Sequence, residues 1–168
     1  MFLESIESGK TATGDLERIP GLVWKDDTAI RVNENHFITD LSGLGFPAWD
    51  LMPPSSYPKA PHGAFYKNFP VAPIIVTRGC PFSCTFCSAK TASGGKLRSR
   101  TVEHVIEELK MLYHDFGVRE FQIEDDNFTL NNSFVEKFCE SLLSLRLKMS
   151  WSFPNGIRLD TIDRPLLR

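Results

Sequence analysis

The chain has 168 residues with 19 Lys and Arg against 21 Asp and Glu, a formal charge of −2, which argues against a polybasic surface built for nucleic acid or anionic lipid. Its composition, 42% hydrophobic and 24% charged, is that of a folded globular protein. No run approaches the roughly 18 apolar residues of a membrane span. The opening MFLESIESGK lacks the basic and apolar regions of a secretory signal. Four cysteines do not make a disulfide scaffold. Without a signal peptide the expected compartment is the reducing cytoplasm, where clustered thiols read as metal ligands or redox groups.

Residues 1–70 and 71–168 differ in character. In the first part, GLVWKDDTAIRVN holds two short β-rich runs around Asp26 and Asp27 and reads as a β-hairpin. DLSGLGFPAWDLMPPSSYPKAPHG follows, rich in Pro and Gly yet carrying Leu41, Leu44, Phe46, Trp49, Leu51 and Met52. A disordered linker would not hold so many large apolar residues, so an ordered, irregular segment lying against the second part is expected.

The second part alternates. APIIVT (72–77) reads as a buried strand ended by Gly79 and Pro81. TVEHVIEELKMLYHDFG reads as a helix, with Val102, Val105, Ile106, Leu109, Leu112, Tyr113 and Phe116 on one face. Thr101 suits its N-cap and Gly117 its end. REFQIED (119–125) is a second strand, and SFVEKFCESLLSLRL a second helix with Ser133 and Glu136 at capping-box spacing. KMSWSF (148–153) is a third strand, and a further helix is expected near Asp163. Strand, helix, strand, helix, strand implies an α/β fold with parallel pairing and about three βα units. Parallel strands covered by helices present ligand sites at their carboxyl ends. Three loops meet there: the cysteine-rich loop, EDDNFT and PNGIR.

The first of these loops, TRGCPFSCTFC, places Cys80, Cys84 and Cys87 within eight positions. One tight loop can aim three sulfurs at a common point. A [4Fe–4S] cube takes a ligand at each of four irons, so three thiolates leave one iron open to a substrate or cosubstrate. A structural zinc site wants four ligands. Cys139 lies mid-helix and reads as a small buried hydrophobe, while His62, His104 and His114 read as ordinary surface or core residues rather than a fourth ligand. Lys96, Arg98 and Arg100 read as a solvated basic stretch, with binding of an anionic group as the alternative.

CPFSCTFC resembles the CxxxCxΦC signature of radical SAM (S-adenosylmethionine) enzymes, with Phe86 in the aromatic slot. The resemblance implies that Cys80, Cys84 and Cys87 ligate a [4Fe–4S] cluster and that SAM chelates its fourth iron. An electron from the cluster then yields a 5′-deoxyadenosyl radical. Phe86 matches the position beside the adenine. Asp125, Asp126 and Asn127 stand where many members have a Gly-Gly-Glu-Pro motif for the SAM amino group, with an ordinary solvated loop as the alternative; Arg158 is a candidate to meet the SAM carboxylate, with a surface salt bridge as the equal alternative. No side chain beyond these cofactor positions is assigned a catalytic role.

GLVWKDDTAIRVN, DLSGLGFPAWDLMP, RSRTVEHVIEEL and IEDDNFT also resemble the cobalamin-linked members of that family. Cobalamin itself is expected only in a longer parent protein, because no Asp-x-His-x-x-Gly motif occurs here. The fold implied is a partial (βα) radical SAM barrel at 71–168, preceded by a hairpin and a Pro/Gly-rich linker at 1–70. The chain is expected to be a fragment of a longer protein or one product of a split reading frame. The parent would be a radical methyltransferase or cyclase served by a flavodoxin- or ferredoxin-like electron donor, with its small-molecule substrate unread. Two alternatives are a non-catalytic iron–sulfur or zinc module and an inactive fragment.

Overall fold

The computed structural model describes residues 13–59 and 65–167. MFLESIESGK and His62, both weighed above, lie outside the described residues. The chain divides into two compact units, one running to Ile38 and the other starting at Thr39.

In the first unit a short helix, α1 (Thr13–Leu16), precedes a hairpin of β1 (Val23–Lys25) and β2 (Ile30–Val32), paired antiparallel. Asp26 makes the turn. One of its oxygens accepts from the Thr28 amide and hydroxyl and the Ala29 amide, and the other accepts from Arg31 Nε, each at 2.7 Å. These bonds, the Thr28 hydroxyl first, hold its carboxyl well below the usual range. The expected hairpin is therefore present, and an Asx-type turn closes it.

The second unit is built on three parallel strands. β3 (Val71–Ile74) pairs with β6 (Glu120–Ile123), which pairs with β7 (Ser150–Ser152), so β6 is central. Between β3 and β6 in sequence lie β4 (Thr77–Arg78), α2 (Ala89–Ser93), β5 (Arg98–Ser99) and α3 (Val102–His114). Helix α4 (Asn132–Ser144) joins β6 to β7. The alternation of the strands decides the core. Ala72, Ile74, Phe121 and Ile123 are buried together with Val105, Leu109 and Leu112 of α3 and Phe138 of α4, each large apolar side chain contributing about 1.5–3 kcal/mol by leaving water. Among described residues this is a mixed α/β unit with a parallel sheet, a partial βα barrel.

Helix α3 starts and stops as its sequence dictates. Thr101, in extended conformation, accepts from the His104 amide at 3.2 Å. Gly117, with φ +68, lets Val118 N–H reach back to the Leu112 carbonyl at 3.0 Å. Three details depart from expectation. The predicted strand 72–77 breaks after Ile74, because Val76 turns its carbonyl to Arg100 N and its amide to Asp125, and β4 pairs instead with β5. Helix α4 is capped by Asn131, whose oxygen takes the Phe134 amide at 3.2 Å, because Ser133 is already inside the first turn. Around Asp163 the described residues form two 3₁₀ turns, Leu159–Thr161 and Pro165–Leu167, in place of a longer helix.

The segment from Thr39 to Tyr57 is irregular and packs into this unit. Trp49 is buried in the core, and its Nε1 donates to Glu108 Oε1 at 2.9 Å. Glu108, 1% exposed on α3, also pairs with Arg100 Nη1 at 2.6 Å. Arg100 donates further to the Ile75 carbonyl and to His104 Nδ1, at 3.1 and 2.9 Å. The expectation of a solvated basic stretch therefore fails at Arg100, which is 8% exposed. It is a buried cation satisfied on several sides, the condition under which burial is tolerated.

Candidate functional site

The cysteine loop is an excursion pinched at its base. Thr77 and Arg78 of β4 pair with Ser99 and Arg98 of β5, so residues 79–97 leave and return through one antiparallel gate. Gly79 opens it with φ +95, and a Cβ there would stand 2.2 Å from the Lys96 carbonyl oxygen. Only glycine fits that approach. Cys80 N–H then donates to the Gly94 carbonyl at 3.1 Å.

The loop tip is open. Cys80 is half-buried, whereas Cys84 and Cys87 are exposed. A turn joins them, with Cys87 N–H on the Cys84 carbonyl at 3.1 Å, and Ala89 N–H points at Cys87 Sγ at 3.5 Å. Phe86 is 93% exposed. Among the described residues no three His, Cys, Asp or Glu side chains already stand as a metal site. The three thiols are presented on one loop.

The loop after β6 fixes the base of that excursion. Asp125 is 3% exposed, and its two oxygens accept from Val76 N, Thr77 N and Thr77 Oγ1, each at 2.8 Å. Burial pushes its carboxyl up to about 6, against the pull of those bonds. Asp125 thereby ties β6 to β4 with its own side chain. Asp126 faces solvent. Asn127 is 2% exposed; its Oδ1 takes the Thr129 hydroxyl at 3.4 Å, while its Nδ2 has no partner among the described residues. A buried amide donor without an acceptor is costly, and it marks this loop as a place where a hydrogen-bond acceptor would fit. Phe128 anchors the loop in an aromatic cluster, 5.5 Å from the rings of Phe138 and Phe153.

The loop after β7 meets both others. Asn155 Nδ2 donates to the Glu124 carbonyl at 3.1 Å. Arg158 lies over the ring of Phe82, 3.8 Å from its centroid, and is gripped by Asp160 at Nε (2.9 Å) and Nη2 (2.5 Å). The pair holds the guanidinium above its ordinary value. The three expected loops are therefore brought to one rim. Beside them a cavity of about 670 Å³, lined in part by Phe46, Trp49, Pro73, Arg78 and Glu124, runs between β3 and the Thr39–Tyr57 segment. Burial raises the Glu124 carboxyl.

The donor set fits an iron–sulfur group better than a closed zinc site. The loop offers thiols alone. Cys139 packs against the core from α4, with burial raising its thiol. His104 Nδ1 is occupied by Arg100, and His114 lies edge-on to Tyr113. Residues that the sequence reading passed over are Phe82, Asp160, Thr77 and the β4–β5 gate. The adjacency of Gly79 to Cys80 and the return of polar residues at Arg98–Arg100 were the signals for the gate.

Residues 74–164 match the radical SAM superfamily. The chain is 34% identical over 140 residues to the uncharacterized methyltransferase PH0819 of Pyrococcus horikoshii, covering 82% of this chain and 29% of that protein. It is 32% identical over 130 residues to the cytidylyl-2-hydroxyethylphosphonate methyltransferase of Streptomyces wedmorensis, covering 76% and 24%. With the anaerobic magnesium-protoporphyrin IX monomethyl ester cyclase of Cereibacter sphaeroides it shares 27% identity over 154 residues, covering 90% and 24%. The chain therefore spans less than a third of the length of each.

Proposed function

The chain belongs to the radical SAM superfamily, an enzyme family, and from that premise we propose that Cys80, Cys84 and Cys87 bind a [4Fe–4S] cluster whose open iron takes SAM. When bound, such a cluster would supply the one electron that cleaves SAM to methionine and a 5′-deoxyadenosyl radical. The observation that carries the reading is the loop itself: three thiols on an excursion closed at its base by Gly79 and the β4–β5 gate, open at its tip, at the carboxyl end of a parallel sheet.

The chain's own residues hold and orient. Asp125 fixes the base of the cysteine loop, and Asp126 and Asn127, next along the same loop, would meet the amino acid end of SAM. Asn127 Nδ2, without an acceptor among the described residues, is a donor that could serve there. Arg158 keeps Nη1 for the SAM carboxylate while Asp160 holds its other edge. Phe86, exposed at the loop tip, offers a ring to the adenine.

For the whole protein we propose a radical methyltransferase or cyclase, supported by the named relatives. Residues 71–168 then supply the first βα units of the catalytic domain and residues 1–70 the segment leading into it. A flavodoxin- or ferredoxin-like protein supplies electrons, and the setting is cytoplasmic.

The test is anaerobic reconstitution followed by SAM and a strong reductant, with 5′-deoxyadenosine measured. Formation of 5′-deoxyadenosine is expected. A colourless chain holding one zinc would instead show a binding module, and a cluster that leaves SAM intact would show a fragment without activity of its own.

A further inference from the structure

We propose that Arg158 is a positioning residue for the cysteine loop: stacked on Phe82 and tethered by Asp160, it holds a positive charge beside the thiols and sets how readily a cluster bound there accepts an electron. Four observations converge. Phe82 stands between Cys80 and Cys84 in sequence, so a group seated on its ring sits on the loop that carries the ligands. The guanidinium is 3.8 Å from the centroid of that ring, at stacking distance. Asp160 takes the Nε and Nη2 edge with 2.9 and 2.5 Å bonds, fixing the plane of the fork. The Cys84 and Cys80 thiols both lie within electrostatic range of Arg158.

A half-exposed ion pair contributes little to stability, so the worth of this arrangement lies in where it puts charge. One-electron reduction of a cluster adds a negative charge to it. A nearby cation favours the reduced form, and net charge and exposure are among the features that set such potentials. Asp160 opposes part of that effect. The pair therefore has a signature that a mechanical clasp lacks: removing the cation and removing the anion shift the potential in opposite directions.

The redox arm of the test rests on the cluster reading above. In the reconstituted chain, poised with dithionite and followed by electron paramagnetic resonance, Arg158→Gln is expected to lower the reduced-to-oxidised ratio at the wild-type midpoint about three- to tenfold. Asp160→Asn is expected to raise that ratio, and Arg158→Lys to stay near wild type. Unchanged ratios, or both charge-removing variants moving the same way, would overturn the proposal. The second arm needs no iron. In the iron-free chain, amide hydrogen exchange across residues 82–87 is expected to quicken in Arg158→Gln and Phe82→Leu while α3 amides stay protected. Unchanged exchange would overturn the positioning role. If α3 amides lose protection in Arg158→Gln, the Lys and Asn variants decide in its place. A wild-type chain that takes up no iron counts against the cluster reading alone, and the exchange arm still decides the clasp.

Discussion

The base and the tip of the cysteine loop are built on opposite terms. At the base, Gly79 passes under the Lys96 carbonyl, β4 and β5 pair, and the buried Asp125, Arg100 and Glu108 are each satisfied by named partners. At the tip, Cys84, Cys87 and Phe86 are exposed. The difference teaches where each kind of energy is placed. Buried polar bonds fix where the loop leaves the sheet, while the three thiols proposed as ligands stand on its more open part. Substitutions at the base should therefore be read in stability, and those at the tip in bound iron.

The largest effect is expected at the bottom of the base. Glu108→Ala leaves Arg100 buried without its anion and Trp49 without its acceptor, a loss of about 3–5 kcal/mol measurable by urea unfolding. Gly79→Ala forces a Cβ into the Lys96 carbonyl at a left-handed φ; about 3 kcal/mol is expected from strain and overlap together, with iron uptake falling alongside the melting temperature. A base that tolerated both changes would erase the distinction.

Asp125 sharpens it through pH. Its carboxyl rises from 3.8 to about 6 in the fold, chiefly through burial. Between those values the folded chain holds a proton that the unfolded chain has released. The titration of Asp125 thus contributes stability below about pH 4 that is lost as pH rises through about 6, on the order of 3 kcal/mol. Urea unfolding from pH 4 to 7 should show that fall, and Asp125→Asn should flatten it. An unchanged slope in the variant would assign the pH dependence elsewhere.

The remaining effects are small in stability. Cys139→Ala removes a partly buried thiol from α4 and should cost about 1 kcal/mol while leaving iron content as it was. A large loss of iron would make Cys139 a fourth ligand. Cys84→Ala, at the exposed tip, should change stability by under about 0.5 kcal/mol in the iron-free chain.

What the sequence shows and hides follows the same line. Helix α3 was legible down to its Thr101 cap and Gly117 end because those signals are local. The parallel order and the meeting of three loops followed from element alternation. The break at Ile74, the Arg100–Glu108–Trp49 network and the seating of Arg158 on Phe82 were not legible. Each joins residues far apart in the chain, and a buried arginine reads like a solvated one until its partner is placed. Asn131 displaced Ser133 as the cap for a lesser reason, since both residue types suit the position and only the starting residue of the helix decides between them.

The central claim is that three thiols suffice to hold the group bound at this loop. The direct measurement is the iron and acid-labile sulfide content of the anaerobically reconstituted chain beside that of Cys84→Ala. We expect about four irons and four sulfides per wild-type chain and loss of both in the variant. A single zinc in the wild type, or full iron retained by Cys84→Ala, would contradict it.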